Sequence, residues 1–275
     1  MQLRDLKNAP PTAWFGLFVV AGYITIAFLA PILAPYGETE IVGASFSPWG
    51  SDFWFGTDNL GRDILSRLIY GARNTVGIAF VTTMLAFLLG GIMGLTSATV
   101  GGLTEQLLSR LVDLLMSIPA LLFALLLLTI FGAGVVSMVL VIAVLDSTRV
   151  YRLTRAVAMN VVAMEYVEAA QLRGEGLAWL IRREILPAIT APLIAEFGLR
   201  FCFVFLTISA LSFLGLGIQP PTADWGSMVR DYASLIAFGD VTPLLPAGAI
   251  ALLTVSVNLI VDWFLHKTSG LRDEK

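Results

Sequence analysis

The sequence predicts an all-α integral membrane protein with about six transmembrane helices. Of the 275 residues, 57% are hydrophobic and only 13% are charged, whereas about 25% of the residues in a soluble domain are charged. The apolar residues form continuous runs that short charged segments separate, and a bilayer imposes this pattern on a chain. Because the runs are continuous rather than alternating, a β-barrel is not expected.

Six runs are candidates for membrane spans, since about 20 apolar residues cross the hydrocarbon core. The predicted spans are residues 13–34, 75–100, 107–130, 134–150, 188–215 and 243–265. The first run could be mistaken for a signal peptide. It is long and has no clear small-residue cleavage site, so we expect an anchor.

Three residues within the spans predict how the helices are shaped and packed. Gly90 and Gly94 are four residues apart in the second span, and this spacing allows another helix to approach closely. Pro119 lies in the third span. It is expected to kink that helix and free a backbone carbonyl.

Lysine and arginine residues in the short loops set the orientation, because they concentrate on the cytoplasmic side. With both termini inside, eleven of them lie on the cytoplasmic side and four on the outer side. The loop at 150–187 is therefore expected inside, and the segments at 35–74 and 216–242 outside. The inner set is Arg4, Lys7, Arg149, Arg152, Arg155, Arg173, Arg182, Arg183, Lys267, Arg272 and Lys275, and the outer set is Arg62, Arg67, Arg73 and Arg230.

The cytoplasmic loop contains a helix, a glycine turn and a second helix. Helix propensity is high from Met164 to Arg173, and Gly174 permits a sharp backbone turn. A second helical stretch is expected over residues 177–186, and Pro187 is expected to mark a boundary before the fifth span. Such an element could dock another protein, or it could be a plain amphipathic connector that packs on its own bundle.

The same loop resembles the coupling motif of ABC importer permeases. An E-A-A string is followed by a glycine after three residues, and then by an L-P pair; the matching residues are Glu168, Ala169, Ala170, Gly174, Leu186 and Pro187. In that family the motif forms a short cytoplasmic helix that sits in a groove of the ATPase subunit. Glu184 stands where the family usually has isoleucine, although the peptide branch often has a polar residue there.

Two further strings are similar to the peptide and nickel branch of that family. Residues 55–73 read FGTDNLGRDILSRLIYGAR, and residues 210–228 read ALSFLGLGIQPPTADWGSM. The resemblance extends from about residue 55 to about residue 262. Beyond it the chain departs from the pattern, because Val261 replaces a glycine that is common in the branch and the tail reads WFLHKTSG.

The outer strings supply two sets of candidate site residues. Asp58 is expected to cap a helix that begins near Asn59, and capping and anchoring are the expected roles of its neighbours. Contact with a partner permease or a substrate-binding protein is the alternative. For the other set, a rigid turn is the preferred interpretation and a docking site is the alternative. The two sets are Thr57, Asp58, Gly61, Arg62 and Asp63, and Gln219, Pro220 and Pro221.

Several ionisable residues fall near or within the predicted spans. Charge inside a membrane is costly and suggests a function by default. Residues three or four apart can meet on one helix face, however, so self-pairing with a structural role is expected here. The predicted pairs are Arg110 with Asp113, Asp146 with Arg149, and Glu196 with Arg200, while Asp262 lies near the cytoplasmic end of the last span.

The composition argues against several other classes of protein. One histidine, His266, and one cysteine, Cys202, cannot form a typical zinc site, and no catalytic residue set is recognised. None of the three lysines fits the phosphate-binding loop pattern, so the chain is not expected to hydrolyse ATP or to bind a cofactor. The net charge of −3 gives no sign of nucleic-acid binding.

The resemblance implies a type I ABC importer permease in a bacterial inner membrane, with both termini cytoplasmic. The expected parts are an N-terminal helix and outer segment at 1–70, a core permease domain at 71–265 and a cytoplasmic tail at 266–275. The implied partners are a second homologous permease, one or two ATPases that use ATP and Mg, an external substrate-binding protein and the bilayer.

Peptides are the expected substrate, with nickel, opines or peptide antibiotics as alternatives. The partner permease is expected to be a different chain rather than a second copy. An ion-driven secondary transporter would need titratable residues at mid-span, and a membrane-embedded enzyme would need a cluster of catalytic groups. These two classes remain as competing readings.

Overall fold

The computed structural model describes residues 9–268, and this part of the chain is helical, with two isolated β-bridges in place of a sheet. The all-α prediction is confirmed. The helices are α1 Pro11–Leu33, α2 Ile64–Val100, α3 Gly102–Met116, α4 Ala120–Phe131, α5 Val135–Val162, α6 Glu165–Leu172, α7 Leu177–Phe213, α8 Trp225–Tyr232 and α9 Leu244–Thr268.

Four helices, α1, α2, α7 and α9, are long and apolar enough to cross a membrane. The pair α3 and α4 adds a fifth crossing if the two count as one broken span. The predicted span at 134–150 lies in α5, a helix of 28 residues with several arginines along its length. The count of six and the cytoplasmic termini therefore remain predictions.

The predicted tail at 266–275 is described only as far as residue 268, where it continues α9. The rest of that tail lies outside the described residues. So do four of the basic residues used for the orientation, namely Arg4, Lys7, Arg272 and Lys275.

Helices α2 and α5 pack against each other at close range. A Cβ at Gly90 would collide with the carbonyl oxygen of Ser147, and a Cβ at Gly94 would lie 2.8 Å from the Cβ of Thr154. The close approach predicted from the two glycines is confirmed. Near the same seam the hydroxyl of Tyr151 lies 2.9 Å from that of Ser97, which ties the helices together with a buried hydrogen bond.

The third predicted span is broken at Pro119. This residue is the N-cap of α4, and the axes of α3 and α4 meet at 87°. A proline disfavours helical geometry in the residue before it and cannot donate to the preceding turn. The predicted kink is confirmed, and it is a complete change of direction.

Pro187 behaves differently from the prediction. Helix α7 runs without a break from Leu177 to Phe213, so the boundary predicted at Pro187 is wrong. A π-helical turn at Ile181–Ile185 comes just before it, and the N–H of Leu186 donates to the carbonyl of Ile181. This wider turn relieves the clash that a proline ring makes with the preceding turn, so the helix continues.

Helix α2 also begins earlier than the predicted second span. It starts at Ile64 and contains a π-helical turn at Ala72–Val76. Its first turns hold Ser66 and Arg67, which are both buried. A prediction based on apolar runs missed these turns because they contain polar residues. In the structure, the hydroxyl of Ser66 donates to Asp63 and accepts from the N–H of Tyr36.

Candidate functional site

Helix α6 lies in the loop between α5 and α7, and one of its faces packs on its own chain. Val167 and Ala170 are fully buried there, in a small cluster with Leu180 and the partly buried Trp179. Of the residues in the E-A-A string, Ala170 therefore belongs to the internal contact.

The opposite face of α6 is uncovered. Glu168 and Ala169 are exposed, and Leu172 is 82% exposed. Leu186 and Pro187, the last pair of the motif, are also exposed, and they lie in α7 just after its π-helical turn. A plain connector accounts for the buried face of α6. The exposed leucine beside a carboxylate is a surface that another protein could cover.

Gly174 ends α6 with a tight turn. Its φ is +83°, and its N–H donates to the carbonyl of Gln171 at 2.9 Å, while the N–H of Glu175 donates to that of Ala170 at 3.2 Å. This pair of bonds is the Schellman arrangement, in which glycine occupies the left-handed position. The turn ends α6 and leads the chain into α7.

In the predicted outer segment, Asp63 and not Asp58 caps the helix. The N–H of Ser66 donates to a carboxylate oxygen of Asp63 at 2.7 Å, and α2 begins at Ile64. The predicted cap at Asp58 is wrong, because Gly61 at a φ of +77° holds the intervening chain in a non-helical turn.

Asp58 instead organises that turn. One of its oxygens accepts from the N–H of Leu60 at 2.8 Å and of Arg62 at 3.0 Å. The other lies 2.7 Å from Nε of Arg62 and 3.4 Å from Nε of Arg67. The Asp58, Arg62 and Arg67 side chains are at most 5% exposed, so this group anchors the segment.

Thr57 continues the same anchoring. Its hydroxyl donates to the carbonyl of Ala44 at 2.6 Å and accepts from the N–H of Ser47 at 2.8 Å. A Cβ at Gly61 would collide with the carbonyl of Gly43. The five candidate residues of the first string are thus brought together, and the side chains of Thr57, Asp58, Arg62 and Asp63 are buried.

The outer segment and the outer loop form one unit, which we call the outer cap (residues 34–63 and 214–243). Glu38 joins them, since one carboxylate oxygen accepts from the N–H of Ala223 at 2.5 Å and from Asn74 Nδ2 at 2.8 Å. Nη1 of Arg67 donates to the carbonyl of Pro221 at 3.3 Å. Sequence reasoning missed Glu38 and Asn74, because no local pattern marks a contact between distant segments.

Within the cap, Gln219, Pro220 and Pro221 form a turn. The peptide bond between the two prolines is cis, and Nε2 of Gln219 donates to the carbonyl of Gly215 at 2.8 Å. The hydrogen bond of Gln219 ties the segment back to Gly215, while the roles predicted for these three residues stay predictions.

Trp225 and Asp224 fix the cap to the bundle. The indole N–H of Trp225 donates to the carbonyl of Leu68 at 2.9 Å, and Asp224 accepts from the hydroxyl of Thr75 at 2.9 Å and from the N–H of Ser227 at 2.8 Å. Burial raises the pKa of the Asp224 carboxyl, and burial also raises the pKa of the Tyr232 hydroxyl to about 12. Tyr232 is therefore neutral at physiological pH.

Two of the three predicted charge pairs form. Arg149 lies 3.2 Å from Asp146, and Arg200 lies 2.7 Å from Glu196. Arg110 and Asp113 are both exposed and make no ion pair within residues 9–268. Arg200 also reaches Asp146 across the helices at 3.7 Å, a contact that spacing along one helix could not reveal.

Among the described residues, no group of three histidine, cysteine, aspartate or glutamate side chains could hold a metal ion. Cys202 is a free, buried cysteine, and its thiol points to the carbonyl of Thr254 at 3.8 Å.

Comparison with known families gives a match over most of the helical core. Residues 86–268 match the model of the family described as the binding-protein-dependent transport system inner membrane component. The match includes α6, the glycine turn after it and the outer loop, and it begins within α2.

Curated relatives are similar over nearly the whole chain. A dipeptide transport system permease protein, DppC of Alkalihalophilus pseudofirmus, is 33% identical over 94% of this chain and 83% of its own length. The peptide transport system permease protein SapC of Salmonella typhimurium is 36% identical over 93% and 88% of the two chains. A glutathione transport system permease protein, GsiD of Pectobacterium atrosepticum, is 31% identical over 94% and 84%.

One solved structure shares the fold. It is described as an amino acid ABC transporter with histidines, and it matches with a TM-score of 0.56 at 19% identity, over 74% of this chain and 94% of that chain. The likeness extends to the arrangement of the helices, and at this identity it shows the fold alone.

Proposed function

The chain belongs to the family of inner membrane components of binding-protein-dependent transport systems, and from this we propose that it carries peptides as one of two permeases of an importer. It is a multi-pass ABC permease of the bacterial inner membrane. Relatives named for dipeptides, peptides and glutathione support peptides as the substrate class, ahead of nickel, opines or peptide antibiotics.

An importer permease works with an ATPase and a substrate-binding protein. We infer a second, homologous permease of different sequence beside this chain, and one or two ATPases that bind and hydrolyse ATP with Mg. The binding protein delivers the solute at the outer face. This chain supplies half of the path and performs no chemistry itself.

The geometry of α6 is the observation that supports this most directly. Its buried face, through Val167 and Ala170, fixes it to the bundle. Its exposed face, with Glu168, Ala169 and Leu172, is free for the ATPase. When ATP closes the ATPase dimer, α6 moves with it, and α7 follows because only the turn at Gly174 separates them. The bundle then changes from inward-facing to outward-facing as a rigid body.

A co-purification experiment tests the coupling surface. The chain is tagged in its native host and extracted in mild detergent, as wild type and as Leu172→Asp and Gln171→Ala variants. Leu172→Asp puts a charge into an apolar contact, so we expect the ATPase to be lost while the second permease is retained. Gln171→Ala, also exposed but at the flank of the surface, should retain both partners.

Transport in liposomes distinguishes the competing function. The reconstituted importer should take up peptide only with ATP and the binding protein, and Leu172→Asp should abolish the uptake. A chain that purifies alone and transports solute without ATP would instead be an ion-driven secondary transporter.

A further inference from the structure

Four charged side chains meet between α5 and α7, and no step of the coupling mechanism uses them. Asp146 lies 3.2 Å from Arg149 and 3.7 Å from Arg200, and Arg200 lies 2.7 Å from Glu196. We call these four residues the α5–α7 charge cluster. Two carboxylates and two guanidinium groups give it a formal charge of zero.

The cluster lies deep in the bundle. Asp146 is eleven residues from the start of α5, or about 16 Å at 1.5 Å per residue. Arg200 is thirteen residues from the outer end of α7, or about 20 Å. Both distances are measured from the helix ends opposite α6, so the cluster lies well inside the two helices and not at their ends.

The Asp146 side chain is incompletely paired. It is only 6% exposed, yet one of its two carboxylate oxygens has no hydrogen-bond partner among the described residues. A small cavity of about 30 Å³ adjoins it between α4, α5 and α7. A buried carboxylate oxygen without a partner is costly, and the cavity has room for one water-sized group such as an ammonium.

Arg149 is the open end of the cluster. Its side chain is 43% exposed, and it bonds to Asp146 through Nη1 alone in the described part of the chain. A guanidinium has five N–H donors, so most of its donors are not used by the bonds to the cluster. An exposed cation this far from the helix ends would face a partner protein or a water-filled path, because lipid would not solvate it.

We propose that the α5–α7 charge cluster is a site on the translocation path that binds a zwitterionic solute, with its carboxylate on Arg149 and its ammonium at the free oxygen of Asp146. A solute that brings both charges leaves the net charge of the site at zero, whereas an ion of one sign does not. Arg149 forms two parallel bonds to a carboxylate more readily than a lysine would. The inference rests on the proposed peptide importer and names the chemical groups that it recognises.

Uptake of two matched probes tests the site. The reconstituted importer, with its partner permease, ATPases and binding protein, is given dialanine or its C-terminal amide. The affinity of the binding protein for each probe is measured separately, and the concentrations are set for equal occupancy. The wild type should take up the free acid faster by roughly tenfold, the effect of one hydrogen bond to a charged group.

Variants of α5 assign the preference to Arg149. Arg149→Gln should take up both probes at the same rate, and Arg149→Lys should keep part of the preference. Arg152→Gln is the matched control, since Arg152 is also exposed on α5 but lies outside the cluster, and it should keep the whole preference. ATP hydrolysis stimulated by the binding protein shows that each variant is assembled.

Three outcomes would overturn the site. Arg149→Gln could lower the uptake of both probes by the same factor, which is the result expected if the ion pair is purely structural. It could also leave the uptake of both probes unchanged. In both cases the importer would still carry peptides. A wild-type importer that takes up no peptide would overturn the peptide assignment and, with it, this site.

Discussion

Gly174 holds a φ of +83° at the end of α6, in the left-handed region that a residue with a Cβ rarely adopts. No heavy atom lies within 4 Å of where its Cβ would be, so the requirement comes from the backbone and not from crowding. Its N–H is needed as well, because it donates to the carbonyl of Gln171. Substitutions at this position can therefore separate the effect of the φ angle from the effect of losing the N–H.

Gly174→Pro should abolish transport while leaving the protein in the membrane. Proline fixes φ near −65° and removes the N–H, so α6 would leave its place on Leu180. Gly174→Ala keeps the N–H and should cost about 1–2 kcal/mol of strain. Uptake and membrane-inserted protein are measured together.

Gly176→Ala is the control for this prediction, because Gly176 has a φ of −75° and open space around it. It should transport normally. An unimpaired Gly174→Pro variant would contradict the assignment of the loop to coupling.

The two aspartates of the outer segment show what a sequence can reveal about single residues. Asp58 and Asp63 both precede candidate helix positions, and local preference favours each as a cap. Only the left-handed turn at Gly61 decides between them. A Cβ at Gly61 would collide with the carbonyl of Gly43, which belongs to a distant part of the segment, so the local sequence does not reveal the requirement for glycine. The motif grouped five residues that lie together in the fold, but it could not assign their roles.

At the scale of helices, the seam between α2 and α5 depends on small residues at fixed intervals. A Cβ at Gly90 would collide with the carbonyl of Ser147 and lie 2.7 Å from the Cβ of Val150. Gly91, the next residue, has no such neighbour within 4 Å. The two adjacent glycines thus differ in what surrounds them.

Gly90→Ala should destabilise the bundle by roughly 1–3 kcal/mol, the usual cost of overpacking. Gly91→Ala should be neutral or slightly stabilising, because alanine favours helix by about 1 kcal/mol over glycine. Thermal unfolding of the two variants in detergent checks the difference. Equal melting temperatures would show that the seam can adjust.

Spacing along the chain predicted contacts within helices better than contacts between them. The pairs Asp146–Arg149 and Glu196–Arg200 follow from positions three and four apart, whereas the contact of Arg200 with Asp146 depends on how α7 is rotated against α5. The π-helical turn before Pro187 was equally hidden, because the residues Ile181–Ile185 have no feature that distinguishes a π turn from an α turn.

For the whole molecule, the open point of topology is the number of crossings between the outer cap and α6. If α2, the bent pair α3–α4 and α5 each cross once, the two sites lie on opposite sides of the membrane. If α5 or the bent pair does not cross, they lie on the same side. Hydropathy selects α2 alone among these as a single helix, because α3 and α4 are each too short and charged residues interrupt α5.

Cysteine labelling should place the outer cap and α6 on opposite sides. In a Cys202→Ala background, Trp54→Cys should react with an impermeant maleimide on intact spheroplasts, since Trp54 is 70% exposed in the cap. Gln171→Cys should react only after the membrane is opened. The wild-type Cys202 is 4% exposed and serves as the unreactive control. Labelling of both sites from outside would contradict the six-span prediction.

Helix α7 has a mechanical consequence for the complete transporter. Its 37 residues make a rod of about 55 Å at 1.5 Å per residue, starting beside α6 and ending at the outer cap. A tilt imposed at the inner end therefore reaches the outer end through one continuous helix, without conformational changes in other elements. A π-helical turn at Ile181–Ile185 and Pro192 lie near its inner end, so we expect the helix to pivot there as a lever whose long arm passes the charge cluster.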